Sequence, residues 1–175
     1  MIDELNVSLQ KYSKNWEKLV AERNNKEFFE GLKPVAVGWK VADEAEYKKV
    51  YEELRGQCDR IVETWMNGRW IAKMHLKDAK LTGNIEIIKL MQRRPGSSDA
   101  LGLDHVDFYS PAVAGADAIL KQEPGLKWSW ESNDVVDDYD WISIWFSGTE
   151  AKLKAGTVID IVIKELAEVG DRIKA

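Results

Sequence analysis

One of the two histidines in the chain lies in the segment GLDHVDFYSP, residues 102–111. Alternate side chains of an extended strand point to the same side, so His105, Asp107 and Tyr109 share one face of this segment. A carboxylate beside an imidazole can tune the pKa of that imidazole toward neutrality, which suits acid–base chemistry or recognition of a polar ligand. The same three residues also suit a satisfied structural cluster, and the sequence leaves both interpretations open.

Tryptophan is the most unusual feature of the composition, with eight in 175 residues. If the two isoleucines and the phenylalanine of segment 140–147 fill the core, then Trp141, Ser143 and Trp145 face the opposite side. There the flat indoles can stack on an aromatic or cationic ligand. The alternative is that these bulky side chains simply fill the interior of the sheet.

Two further polar residues lie on predicted strands. His75 shares a face with Lys73 on strand 69–76, opposite an apolar face, and Glu86 lies on strand 85–92. His75 is either a partly exposed structural residue or part of a concave polar face. The complete set of candidate ligand-binding residues is His105, Asp107, Tyr109, Trp141, Trp145, His75 and Glu86.

The elements that position these residues follow from hydrophobic spacing. Apolar residues three and four apart predict an amphipathic N-terminal helix, and a valine-rich run predicts a buried strand at 35–42. Asp43 is a good N-cap for a helix whose apolar spacing continues to Trp65. Cys58 falls on the apolar stripe of that helix, so we expect it to be buried as a small hydrophobic residue.

The pattern begins again after the loop RRPGSSDALG, residues 93–102. A strand at 103–109 is followed by a helix at 111–122 and by three strands at 126–132, 140–147 and 149–155. Spacings of three and four then predict a helix to the end of the chain, although the β-branched residues of 157–163 leave a strand open. We expect a single domain over 1–175, divided into an N-terminal helical segment 1–33, a first βαβββ-like module 34–94, a second module 101–156 and a C-terminal helix 157–175.

Composition excludes several classes of partner. A net charge of −5 gives no electrostatic reason to expect nucleic acid, and no segment is apolar enough to span a membrane. A single cysteine allows no internal disulfide and fits a reducing cytoplasm. The acidic run 133–140 lacks the glycine and terminal glutamate of an EF-hand loop, so we expect a solvated loop there.

Two paired βαβββ modules resemble the architecture of the vicinal oxygen chelate superfamily, which includes glyoxalase I, extradiol dioxygenases and bleomycin-resistance proteins. The segments MNGRWIAKMHL, 66–76, and LDHVDFYSP, 103–111, resemble the paired signatures of its YecM-like branch. The resemblance implies an α+β fold in which curled mixed sheets enclose a cavity, with added N-terminal and C-terminal helices.

The resemblance also implies up to four metal ligands, which can be compared with this sequence one position at a time. The first falls at Gly38 or Trp39 and the second near Lys89, and none of these residues suits a cation site. The third is His105, and the fourth is Lys154 or Glu150. A tight divalent site takes three or more convergent ligands, so a metal is not favoured. If one binds, the ligands that the sequence offers are His105, Glu86, Asp107 and Glu150.

We therefore expect a cytoplasmic protein that binds a small aromatic or amphipathic molecule in a cavity with a degraded metal site. Two alternatives stay open: a metal-dependent enzyme of the glyoxalase or dioxygenase type, and a non-catalytic scaffold or interaction protein. The sequence does not fix the ligand or the reaction, and it favours neither a monomer nor a homodimer.

Overall fold

The computed structural model describes residues 1–66, 68–132 and 140–155 of the chain. Two of the predictions lie outside these residues, namely most of the acidic loop 133–140 and the helix at 157–175. Among the helices in the described ranges, none combines the length and the apolar character that crossing a membrane requires.

The first half of the chain is a helical segment followed by a strand, a helix and three strands. The helical segment consists of α1 (Ile2–Ala21) and α2 (Lys26–Glu30). The unit that follows consists of β1 (Lys33–Val41), α3 (Glu44–Arg55), β2 (Cys58–Met66), β3 (Arg69–Leu76) and β4 (Ile87–Gln92). The predicted N-cap of α3 is confirmed, because the Asp43 carboxylate accepts a hydrogen bond from the backbone N–H of Glu46 at 2.9 Å.

The second half repeats this order. It consists of β5 (Gly102–Tyr109), α4 (Ala116–Leu120), β6 (Lys127–Ser132), β7 (Asp140–Phe146) and β8 (Thr149–Lys154). The predicted helix at 111–122 is too long. Pro111–Gly115 is a 3₁₀ turn, capped by the Ser110 side chain, and only five residues after it are α-helical. Gly115 separates the two pieces, as its low helix propensity favours.

The predicted continuation of α3 to Trp65 is wrong. The helix ends at Arg55 with Gly56 as its C-cap, and Cys58–Met66 is an edge strand that pairs with β3. Ile61 packs against the main core under the helices. Its neighbour Val62 packs on the other face of the sheet, against a small cluster of Val35, Ala36, Ile87 and Tyr109. Because β2 has apolar residues on both faces, its sequence lacks the alternation of a strand. The apolar residues that remain are spaced three and four apart, as in a helix. Cys58 is buried, as predicted.

The eight strands of the described residues form one curled mixed sheet in the order β2-β3-β4-β1-β5-β8-β7-β6. Each half contributes four neighbouring strands, and the first strand of each half lies at the centre, where β1 and β5 pair antiparallel. Each of these first strands also pairs in parallel with the last strand of its own half. The predicted α+β architecture of two βαβββ modules is thereby confirmed, while the module boundaries stay predictions.

The helices cover one face of the sheet and form the main core with it. Val106 and Phe108 of β5 and Ile142 and Ile144 of β7 are buried in this core. Helix α1 contributes Trp16, whose ring stacks on Phe108 with centroids 4.7 Å apart. Burial of these aromatic and branched side chains against the helices fixes which face of each central strand points away from them.

The opposite face of the sheet carries most of the polar candidates, and we call it the polar face. Strand registers place its residues side by side across the central strands. Its central residues are Gly38, Lys89, His105, Asp107, Tyr109, Trp141, Ser143, Trp145, Glu150, Lys152 and Lys154.

Candidate functional site

A row of residues crosses the polar face at the level of His105. Gly38 is the register partner of both Lys89 and His105, and His105 is the register partner of Glu150. The row continues to Trp145 on β7. Strands β1 and β5 belong to different halves of the chain, so this row exists only because the two halves share one sheet.

The imidazole of His105 lies directly over Gly38. A Cβ atom at position 38 would come within 2.5 Å of Cε1 and 2.7 Å of Nδ1 of His105, distances that real Cβ atoms do not show. Glycine at position 38 therefore makes room for the histidine of the neighbouring strand. It also leaves no side chain between Lys89 and β5.

Asp104 orients His105 through a hydrogen bond at 2.8 Å to Nδ1. Alternation predicts Asp104 on the helix side of β5, but a register shift next to Gly38 interrupts the alternation and lets its carboxylate contact both His105 and Lys40. Because a carboxylate only accepts, the neutral imidazole donates from Nδ1 and keeps Nε2 as an acceptor. Burial lowers the pKa of His105 to about 4, with Lys152 adding to the effect, so the ring is neutral at pH 7.

Asp107 is the buried centre of a cluster of lysines. Its carboxylate forms an ion pair with Lys89, which reaches it across β1, and lies 3.7 Å from the ammonium of Lys154. Its Oδ1 is also 3.8 Å from Nε2 of His105. Burial alone would raise the pKa of Asp107, but the ammonium groups of Lys154 and Lys89 outweigh it and hold that pKa well below its usual range.

Lys152 lies next to Asp107 in register, on the neighbouring strand β8. Its ammonium is 5.0 Å from the centre of the Trp141 ring and 3.8 Å from Oε2 of Glu150. Burial lowers the pKa of Lys152, an effect that Glu150 opposes. The ammonium therefore lies between an indole face and a carboxylate that is too far away for a hydrogen bond.

The polar groups of β7 and β8 form a short hydrogen-bonded chain. The indole Nε1 of Trp141 donates to the hydroxyl of Ser143 at 2.9 Å, and that hydroxyl donates to Glu150. Burial raises the pKa of Glu150, although Lys152 and the Ser143 hydrogen bond oppose the shift. These two hydrogen bonds fix the orientation of the Trp141 indole and the Glu150 carboxylate on the polar face.

A pocket of about 500 Å³ opens at the end of the row through His105. Its walls include Asp104, Trp145 and Glu150, together with Lys127 of β6. Ser147 and Gly148, both with positive φ, form the tight turn that closes this side of the pocket, as predicted for the β7–β8 hairpin. The pocket gives a small molecule a place to lie against one indole and two carboxylates.

His75 and Glu86 form a separate cluster with Asp59 rather than joining His105. His75 Nδ1 is 2.6 Å from Asp59 Oδ1, and its Nε2 is 3.9 Å from Glu86 Oε2. Strands β4 and β1 lie between His75 and β5, which corresponds to a separation of roughly 14 Å across three strand spacings. The structure therefore brings five of the seven predicted site residues onto the central part of the polar face and leaves these two at its margin.

The residues of the central row do not fit the metal site that the fold implies. Of the four expected metal-ligand positions, the strand registers assign the first to Gly38, the second to Lys89 and the fourth to Glu150. Only His105 and Glu150 can coordinate a cation, and the Lys89 ammonium beside them would repel one. Among the described residues, no group of three or more His, Cys, Asp or Glu side chains converges as a metal site would require.

Sequence reasoning missed the role of two residues in this arrangement. Lys152 was not among the candidates, although the alternation of Glu150, Lys152 and Lys154 on β8 places all three on one face. Asp104 was also not among the candidates, and only the register shift beside Gly38 reveals its contact with His105.

Comparison with known proteins identifies the fold. No protein-family model matches the chain, and no curated protein matches it. A solved structure described as "Structural Genomics, Protein EC4020" is similar with a TM-score of 0.65 and 14% identity over 95% of this chain and 93% of that one. Methylmalonyl-CoA epimerase from Mycobacterium tuberculosis is similar with a TM-score of 0.50 and 14% identity over 74% of this chain and 91% of that one. The chain has the fold of the vicinal oxygen chelate superfamily.

Proposed function

We propose that this chain binds a small aromatic or amphipathic molecule on the polar face of its sheet, without a resident metal ion. The observation that carries the proposal is the combination of indoles, buried charges and an adjoining pocket at Trp145 and Glu150. Binding sites for small molecules combine apolar walls with a few well-placed polar groups, and this surface has both.

The arrangement offers a ligand two kinds of contact. Trp141 and Trp145 supply flat apolar surfaces, and Trp141 is already held in place by its hydrogen bond to Ser143. His105, whose side chain is 5% exposed and whose Nδ1 is engaged by Asp104, lies beneath these groups and supports them from below. Lys152 supplies a charged donor beside these groups.

The fold supports small-molecule binding by analogy, since one protein that shares it is named as an epimerase of methylmalonyl-CoA. Shared fold does not identify the molecule bound here. The segments 66–76 and 103–111 lead us to place the chain in the YecM-like branch of the superfamily. A single buried cysteine supports a cytoplasmic location for it.

A fragment screen monitored by ligand-observed NMR and by tryptophan fluorescence tests the proposal. Bound fragments should compete for one site, and Trp145→Phe should weaken their binding at least fivefold. Trp130→Phe is the matched control, because Trp130 lies on the helix side of β6, where its indole donates to Asp117. The proposal fails if no fragment binds, or if Trp145→Phe and Trp130→Phe have the same effect, and the scaffold alternative then takes its place.

A further inference from the structure

The three lysines of the polar face differ in what holds their ammonium groups. Lys89 and Lys154 both contact the carboxylate of Asp107, which lies between them and is fully buried. Both lysine side chains are themselves deeply buried, at 9% and 6% exposure. A ligand entering from solvent cannot readily reach either ammonium, so these two lysines and Asp107 form a structural core beneath the surface.

Lys152 is the more accessible member of the three. Its side chain is 19% exposed, and among the described residues its ammonium has no hydrogen-bond acceptor. Within the described part of the chain Glu150 is the nearest carboxylate at 3.8 Å, and its other oxygen is engaged by Ser143. A partly buried ammonium carries three donors, and leaving these without acceptors is costly. An added acceptor at this place would therefore be bound with a clear gain in free energy.

The charges around Lys152 favour an anionic acceptor. Asp107 contacts both Lys89 and Lys154 and is the register partner of Lys152, so its one carboxylate lies among three ammonium groups. Glu150 offsets part of this charge but does so from beyond hydrogen-bonding distance. A negatively charged group beside Lys152 would therefore be attracted by its ammonium.

Trp141 indicates what kind of molecule would carry the negatively charged group that binds Lys152. The Lys152 ammonium lies over the Trp141 ring, so a ligand oxygen bound to the ammonium places the rest of the molecule beside an indole face. The neighbouring Trp145 lines the adjoining pocket. An acid attached to a flat aromatic body satisfies both the ammonium and the indoles.

We infer that the ligand of this site is an aromatic carboxylic acid whose carboxylate binds the Lys152 ammonium. The inference rests on the proposed function and gives the chemical class of its ligand. Lys152 provides a charge-assisted hydrogen bond to the carboxylate, and Trp141 and Trp145 pack on the aromatic body. Asp107, Lys89 and Lys154 support the site from below without contacting the ligand.

Isothermal titration with 2-naphthoate and its neutral isostere 2-naphthamide tests the inference. The acid should bind at least tenfold more tightly than the amide, because only the acid pairs with the ammonium. Lys152→Met should remove this difference while leaving binding of the amide within about twofold, whereas Lys152→Arg should keep the preference for the acid. Lys121→Met is the matched control, because it removes the charge of an exposed lysine just after α4 and should change neither affinity.

The outcomes separate this inference from the proposed function. Equal binding of acid and amide to the unmodified protein overturns the inference and leaves small-molecule binding standing, as does tighter binding of the amide. Tighter binding of 1-naphthyl phosphate than of 2-naphthoate overturns the assignment to a carboxylate. A preference for the acid that survives Lys152→Met, with the fold intact by circular dichroism, overturns the role of Lys152. If neither probe nor any fragment in the screen binds, the proposed function itself fails.

Discussion

His105 occupies the space in which a side chain at position 38 would lie. Strands β1 and β5 pair at the centre of the sheet, and the missing side chain of Gly38 lets the imidazole lie flat over β1 while Asp104 holds its Nδ1. The position of the histidine is therefore set by a glycine on another strand as much as by its own neighbours.

Gly38→Ala should destabilise the protein by about 1 to 3 kcal/mol, because the new methyl group overlaps the imidazole and forces it away from Asp104. Urea unfolding at pH 7 measures the change. Gly56→Ala is the control: nothing lies within 4 Å of the added methyl group, and the backbone at Gly56 has helical angles. Equal stability of the two variants would show that the contact between Gly38 and His105 has no energetic importance.

Asp107→Asn should destabilise the protein by about 3 to 5 kcal/mol, because it leaves buried ammonium groups without their carboxylate. Adding Lys89→Met to this variant should restore part of the loss, since one of the unpaired charges is then removed. Asp117→Asn, which alters an exposed pair with Lys121, should cost less than about 1 kcal/mol. A similar cost for Asp107→Asn and Asp117→Asn in denaturant unfolding would contradict the buried cluster.

Folding stability should fall between pH 6.5 and pH 4 because of His105. The unfolded chain binds a proton on this imidazole near pH 6.5, whereas burial lowers the folded-state pKa to about 4. Acid therefore favours the unfolded state across this window, by at most about 3 kcal/mol, and the effect is absent above it. His105→Gln should flatten the profile of unfolding free energy against pH. A profile unchanged by the substitution would argue against the shifted pKa.

Protein purified without chelator should contain well under one equivalent of iron, manganese, nickel or zinc. The reason is that Lys89 places an ammonium beside the two residues of the central row that could bind a metal, His105 and Glu150. Elemental analysis by mass spectrometry is the measurement. Stoichiometric metal that disappears in His105→Ala, but persists in His75→Ala, would favour the metal-dependent enzyme instead.

Strands with one apolar face were predictable from the sequence, while the edge strand β2 was not. The alternation in β3 predicted its full extent, 69–76, and the alternation in β5 correctly placed His105, Asp107 and Tyr109 on one face. In β2, by contrast, apolar side chains lie on both faces, so the period of the strand is lost. Gly56, which ends the preceding helix, was the overlooked signal.

The charged cluster shows why side-chain pairing was harder to predict than strand identity. The sequence identified Asp107 as a candidate and Lys89 as unsuited to a metal, but it did not show that these two residues pair. Their contact crosses the intervening strand β1. It depends on the absence of a side chain at Gly38 and on the register of strands β4, β1 and β5. Register is a property of the assembled sheet and cannot be read from one strand at a time.

The central ladder between β1 and β5 also bears on how the chain folds. Its partners, such as Gly38 and His105, are more than sixty residues apart in the sequence. Closing so long a loop costs entropy before the contacts form, so we expect refolding toward the slow end of the range for small domains. Until the ladder closes, each half exposes an unpaired strand edge that matches the other half of a second molecule. We therefore expect exchange of halves between chains to compete with correct folding.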